Sequence, residues 1–148
     1  MKRWLATALT FVLIGVSATQ AHAQEGTLGD LKTKGAKVLS AEEVKELLTG
    51  ATVRFESDQF AIQMKLDASG SIAGSAVRRI GGSYTATLGG KWRITNNALW
   101  CGETQVIGGA GGGAKWCRSV LRLGDRHYFI YGPARDDTRP AFEMGVTK

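Results

Sequence analysis

Two tryptophan–cysteine pairs stand at the ends of a glycine-rich stretch in the second half of the chain. They are Trp100-Cys101 and Trp116-Cys117, and between them lies the run Gly108-Gly109-Ala110-Gly111-Gly112-Gly113. Cysteines with this spacing could form a disulfide, hold a metal ion or provide a reactive thiol. We predict a disulfide that joins neighbouring strands, with a mobile loop at the tip.

The disulfide interpretation depends on the compartment and on the lack of other metal ligands. His22 lies in a segment that we expect to be removed on export, so only His127 remains in the mature chain. These residues do not make up a zinc site, and we predict neither a metal nor another cofactor. An exported chain reaches an oxidising compartment, where paired cysteines favour a disulfide. Closing a loop of this size would stabilise the fold by about 3 kcal/mol.

Three residues could supply acid–base chemistry, namely Glu103, Asp125 and His127. Asp125 and His127 would share a face only if both belonged to one regular strand, and Asp125 belongs to a Gly-Asp turn instead. No set of nucleophile, base and orienting group can be assembled around them. We therefore predict no catalytic residue. The alternative is a small hydrolase or isomerase that uses His127 with a nearby carboxylate.

The glycine run also fits a nucleotide-binding pattern. Residues 109–114 match G-x-G-x-x-G/A, which holds a pyrophosphate only when a strand precedes it and a helix follows it. The following residues, Lys115-Trp116-Cys117-Arg118, are typical of a strand. We interpret the run as the flexible tip of a hairpin.

Basic residues are concentrated in the second half of the chain. Residues 78–126 carry eight lysines and arginines against two acidic residues, and a face of one charge sign attracts anions. If the cysteines point inward, strand alternation turns both indoles outward, where they would form a binding platform beside cations. The alternatives are that the helix or the tail covers the indoles and that the cations are only solvated. The candidate ligand-binding residues are Arg93, Trp100, Trp116, Arg118 and Arg122.

The first 23 residues have the pattern of a signal peptide. Lys2 and Arg3 precede an apolar run, and Ala21-His22-Ala23 fits a cleavage site, so we expect a periplasmic or secreted chain that begins near Gln24. Cleavage lowers the formal net charge from +6 to +4, because two basic residues are lost and no acidic one. We predict a flexible lead-in over residues 24–39 and a single β-rich domain over residues 40–148.

Hydrophobic periodicity predicts one short helix followed by about eight strands. Ser40-Ala41-Glu42-Glu43 matches a capping box, and Gly50 provides a helix stop. From Ala51 onward apolar residues alternate with polar ones, and glycine-containing turns recur every 8–12 residues. This pattern is typical of an antiparallel all-β barrel or sandwich, and periodicity does not separate the two. We expect an inward face that includes Phe60, Ile62, Met64, Tyr84, Leu88, Trp92 and Ile94.

Three short motifs carry a family resemblance. Leu48-Thr49-Gly50-Ala51-Thr52-Val53, then Gly90-Lys91-Trp92-Arg93-Ile94, then the cysteine pair, resemble small exported alphaproteobacterial proteins of unknown function. The helix-then-meander layout is also similar to lipocalin-like barrels, whose G-x-W motif lies at the first strand rather than mid-chain. Neither resemblance implies a catalytic residue.

These observations favour a non-enzymatic binding or interaction module of the bacterial cell envelope. Its partner would be an anionic envelope component, a small apolar ligand inside the barrel or another protein. We expect no binding to nucleic acid, because an exported chain without a nucleic-acid-binding motif has no such role. We also expect no membrane-spanning segment, since no apolar run is long enough.

Overall fold

The fold is a closed antiparallel barrel of eight strands. The structure is a computed structural model that describes residues 26–79, 84–108 and 112–148. The expected signal peptide, the Gly81-Gly82 turn and the centre of the glycine run lie outside these residues. No helix in the described ranges is long and apolar enough to cross a membrane. The barrel strands are β2 (Thr52–Glu56), β3 (Phe60–Leu66), β4 (Ser71–Arg78), β5 (Tyr84–Ile94), β6 (Leu99–Ile107), β7 (Ala114–Leu123), β8 (Arg126–Tyr131) and β9 (Phe142–Thr147).

Pairing of the first and last barrel strands closes the sheet. Val53 of β2 lies opposite Met64 of β3 on one side and Val146 of β9 on the other. The all-β prediction is therefore confirmed, and of the two predicted architectures the protein adopts the barrel rather than the sandwich. Gly74 and Gly90 allow tight curvature, because a Cβ atom at either position would clash with a carbonyl oxygen of a neighbouring strand, Gln63 of β3 or Glu103 of β6.

A short helix, α2 (Ala41–Leu48), packs against the barrel core at one end. Its capping box is formed as predicted, with the Ser40 hydroxyl accepting from the Glu43 N–H and the Glu43 carboxylate accepting from the Ser40 N–H. Val44 and Leu48 are fully buried in the core cluster. The Gly50 N–H donates to the Leu66 carbonyl at 2.8 Å and fixes the helix to the end of β3.

The prediction of a loose lead-in is wrong for residues 26–39. They form a second helix, α1 (Leu28–Thr33), and a short strand, β1 (Lys37–Val38), which pairs with β7. Leu28 and Leu31 are buried against the outer side of the barrel. The segment is ordered because it covers apolar side chains that face away from the barrel interior, namely Leu121, Tyr128, Ile130 and Ala141.

Glu43 makes this N-terminal packing dependent on pH. Hydrogen bonds from Lys37 and from the Ser40 backbone lower the pKa of its carboxyl from 4.5 to about 2. A carboxyl whose pKa is lower in the folded state stabilises the fold above its unfolded pKa, and this contribution disappears as pH falls through the folded value. We expect Glu43→Gln to be less stable than wild type at pH 7 and equal to it near pH 2, as measured by urea unfolding. Glu46→Gln, at an exposed position of the same helix, is the control and is expected to show no such convergence.

Candidate binding site inside the barrel

Both indoles near the cysteines point into the barrel. Trp100 is completely buried, and its ring contacts the Trp116 ring edge to face at a centroid distance of 4.8 Å. The predicted disulfide is confirmed: Cys101 lies directly opposite Cys117 in the register and is bonded to it. The prediction of an exposed indole platform is wrong, because the cysteines occupy the outer face and alternation turns the indoles inward.

Arg118 lies inside the barrel, surrounded by aromatic rings. It comes two residues after Trp116 on β7 and therefore shares its inward face. Its side chain is only 4% exposed. The distances from its Cζ atom to five ring centroids run from 4.2 to 5.3 Å, and the rings belong to Phe55, Trp100, Trp116, Phe129 and Tyr131. We call these five residues with Arg118 the arginine cage.

The guanidinium of Arg118 has one weak hydrogen bond and no acidic partner in the described part of the chain. Its Nη2 atom donates to the Tyr131 hydroxyl at 3.5 Å, whereas Nε and Nη1 have no acceptor. Burial lowers the pKa of Arg118 to about 10, and the contact with Tyr131 opposes this change. The side chain therefore remains charged at neutral pH. A buried charge without a counter-ion costs several kcal/mol, of which contacts with ring faces recover only a part.

A third buried donor belongs to the same cage. The Trp100 Nε1–H has no hydrogen-bond partner, although indole N–H groups usually find one when buried. Every unsatisfied polar atom of the cage is thus a donor. Such a site is chemically matched to a group that brings acceptor oxygens and negative charge.

Aromatic side chains fill the space between the cage and one barrel end. The interior is packed, and a cavity of about 370 Å³ opens at the end away from α2. We call it the mouth cavity, and it is lined by Phe55, Glu56, Ser57, Asp58, Gln59, Phe60, Tyr131 and Phe142. Phe55 and Tyr131 belong to both the cage and this cavity. Two residues expected inside are exposed at this end instead, Phe60 at 41% and Tyr84 at 55%.

The remaining candidate residues lie elsewhere. Arg93 lines a second cavity of about 630 Å³ that includes both cysteines of the disulfide, and Lys91, Lys115 and the cage residue Trp116 also contribute to it. Arg122 is exposed near the other end of β7, opposite His127 of β8. The structure therefore brings Trp100, Trp116 and Arg118 together in the cage. It places Arg93 in a second cavity that Trp116 also lines, and it leaves Arg122 apart at the other end of β7.

The acid–base set is not assembled by the fold. Glu103 of β6 lies opposite Lys115 of β7, and His127 of β8 lies opposite Arg122 of β7. The distance along β7 between these two positions is about 20 Å, so Glu103 and His127 do not meet. Burial, together with the charge of Arg122, lowers the pKa of His127, and Asp125 opposes this change. His127 belongs to neither of the two cavities described above. Within the described ranges, no three His, Cys, Asp or Glu side chains are grouped so as to hold a metal ion.

Sequence reasoning missed three members of the cage, Phe55, Phe129 and Tyr131. The parity of Phe55 in its alternating run would have placed it on an inward face, whereas β8 carries large apolar residues on both faces, so parity alone does not place Phe129 and Tyr131. No signal in the sequence places Phe55 beside Arg118, because β2 is not hydrogen-bonded to β7 and approaches it only across the closed barrel, whereas β8 pairs directly with β7 in a hairpin.

Comparison of the chain with protein-family models, with curated proteins and with solved structures finds no match. The case for a function therefore depends on the geometry of the cage and of the mouth cavity.

Gly102 leaves room for the Trp116 ring within this site. A Cβ atom at position 102 would clash with carbon atoms of the Trp116 ring. We expect Gly102→Ala to lower the free energy of unfolding by about 1 to 3 kcal/mol, since overpacking forces rings and backbone to shift. Tryptophan fluorescence should change as well. Gly112→Ala is the matched control, because open space surrounds that position, and it is expected to leave both measurements unchanged.

Proposed function

We propose that the protein is a non-enzymatic binding module, exported to the cell envelope, whose barrel takes a small anionic ligand at Arg118. The observation that carries the proposal is a guanidinium that is 4% exposed and has no acidic partner in the described ranges. Arginine is rarely so buried unless its charge is paired. An anion inside the cage would supply the missing charge.

The geometry suits recognition of an anion in three respects. The unsatisfied atoms Nε and Nη1 of Arg118 and Nε1 of Trp100 are all donors. Rings on several sides hold the guanidinium in place, so little side-chain entropy would be lost on binding. The low dielectric of a packed interior strengthens the attraction between the two charges. Binding by these groups requires no covalent step.

Titration of the purified, oxidised protein with acetate, phosphate and sulfate at constant ionic strength tests the proposal. Trp100 and Trp116 touch Arg118, so their fluorescence reports directly on the cage. We expect a saturable fluorescence change and a higher melting temperature with at least one anion, because a ligand that binds only the folded state stabilises it.

Two variants locate the bound anion. Arg118→Met should abolish the response, whereas Arg93→Met, in the cavity beside the disulfide, should leave it intact. If no anion changes either fluorescence or melting, the proposal is wrong. If Arg93→Met rather than Arg118→Met removes the response, the ligand does not bind in the cage, and the proposal is again wrong.

Export is tested separately. The mature protein should be recovered from the periplasm or the medium with Gln24 as its first residue, as determined by N-terminal sequencing and intact mass. The confirmed disulfide supports this expectation, because such bonds persist mainly in oxidising compartments. An uncleaved chain that remains in the cytoplasm would contradict it.

A further inference from the structure

The barrel end around the mouth cavity is unusually apolar on its surface. Among the described residues, five large hydrophobic side chains are exposed, and four of them lie at this end. Phe60 and Tyr84 begin β3 and β5, and Ile107 and Tyr131 end β6 and β8. In an antiparallel barrel these positions share one rim, opposite the end that carries α2. The fifth, Val38, lies in β1.

Aromatic side chains connect this rim to the cage without a polar layer between them. The ring centroids of Tyr131 and Phe142 lie 5.8 Å apart, and the Phe142 ring stacks on the Phe129 ring at a centroid distance of 5.3 Å. Phe55, which also lines the mouth cavity, lies 4.7 Å from Arg118 Cζ. The wall between the mouth cavity and the guanidinium is therefore a single layer of rings.

The charges around the mouth favour one orientation of an anionic ligand. Glu56 and Asp58 line the cavity, and Glu56 is held by Arg79 at 2.7 Å. The charge of Glu56 is offset by Arg79, so the Asp58 carboxylate is the group that disfavours an anion at the rim, whereas Arg118 beneath the rings attracts it. A ligand would thus place its charge inward and its apolar part against the aromatic lining.

Charge balance and size restrict the ligand further. One guanidinium neutralises one negative charge, and a dianion would leave a net buried charge that costs several kcal/mol. A cavity of 370 Å³ is near the lower end of the range of about 300 to 1,000 Å³ for small-molecule sites. Both considerations favour a compact monoanion over a phosphate ester or a long chain.

We propose that the ligand is a compact aromatic monocarboxylate. Its carboxylate accepts from Arg118 and from Trp100 Nε1, and its ring packs against Phe60, Tyr131 and Phe142 in the mouth cavity. This inference rests on the proposed function and specifies the ligand of the same site. Access requires the Tyr131 side chain to turn aside, and it is 45% exposed with one 3.5 Å hydrogen bond to Arg118.

Four probes separate the contributions of charge and ring. They are 3-phenylpropionate, propionate, 3-phenylpropanol and phenyl phosphate, each titrated into the oxidised protein and followed by tryptophan fluorescence and calorimetry. We expect 3-phenylpropionate to bind about 10- to 100-fold more tightly than propionate, because burying a phenyl ring contributes about 1.5 to 3 kcal/mol. The alcohol and the phosphate should both bind more weakly than 3-phenylpropionate.

Variants test whether the carboxylate of the ligand binds at Arg118 and whether its ring binds in the mouth cavity. Arg118→Met should remove the preference for 3-phenylpropionate over the alcohol. Phe60→Ser should lower the affinity for 3-phenylpropionate and leave that for propionate unchanged. Val38→Ser, which removes an exposed apolar side chain away from the mouth, should change neither affinity.

The outcomes distinguish this inference from the proposed function. Equal affinities for propionate and 3-phenylpropionate would overturn the aromatic ligand and leave an anion-binding module intact. Equal affinities for the acid and the alcohol would overturn the placement of the carboxylate at Arg118. If none of the probes binds, and acetate, phosphate and sulfate have no effect either, then both the inference and the proposed function fail.

Discussion

Replacement of Arg118 by methionine is expected to raise the free energy of unfolding by about 1 to 3 kcal/mol while abolishing anion binding. The wild-type side chain keeps a charge at 4% exposure with two donors unsatisfied. Methionine is apolar and flexible and fills irregular core space, so it removes the cost of the buried charge and retains packing with the surrounding rings. Urea unfolding at pH 7, with and without a bound anion, measures both effects.

Two further substitutions test the physical reason. Arg118→Lys should destabilise the fold, because a compact, strongly hydrated ammonium spreads its charge less well over the rings than a planar guanidinium does. Arg122→Met, at an exposed position of the same strand, should change stability by less than about 0.5 kcal/mol. A loss of more than about 1 kcal/mol in Arg118→Met would show that the arginine stabilises the empty barrel. The energetic argument for a ligand would then be lost.

Removal of the disulfide in the double variant Cys101→Ala/Cys117→Ala is expected to lower the free energy of unfolding by about 3 kcal/mol. The bond links residues 16 apart in sequence, and it mainly restricts the unfolded chain. The cysteines lie on the outer face, so the cage should stay intact. Denaturant unfolding measures the loss, and anion titration of the folded variant should give the wild-type affinity.

The next cross-strand pair on the same face of these two strands provides the control. Glu103 and Lys115 form an exposed ion pair at 3.7 Å, and removing both should cost less than about 1 kcal/mol. Reduction of the wild-type protein should reproduce the loss seen in the double cysteine variant. If the double variant were as stable as the wild type, restriction of the unfolded chain by the disulfide would not contribute to the stability of the fold.

Much of the local structure follows from the sequence because it depends on near neighbours. The capping box at Ser40 and Glu43 is formed by residues three apart, and the alternation of Ile62, Met64 and Leu66 reflects the two-residue period of a strand. The helix α1 follows the same logic, with a second capping box at Thr27 and Asp30. It was missed because its apolar stripe contains only Leu28 and Leu31.

The candidate site follows from the sequence only in part. The sequence places Trp116 and Arg118 on one face of a strand, since they are two residues apart. It does not say whether that face points inward, and the expectation that the cysteines point inward led to the opposite orientation for the indoles. Burial of the outer face of Leu121 and Tyr128 by α1 adds to the ambiguity, because both faces of β7 and β8 then contain apolar residues.

The sequence by itself determined the strand periods, the turns, the oxidised cysteine pair and the antiparallel all-β class, since each depends on residue type and short spacing. Only the tertiary structure decided that the sheet closes and that Arg118 lies inside it among five rings. Closure pairs β2 with β9, which are about ninety residues apart, and contacts over that distance leave no local pattern. The charged interior that suggests a ligand is therefore a property of the closed barrel rather than of any one segment.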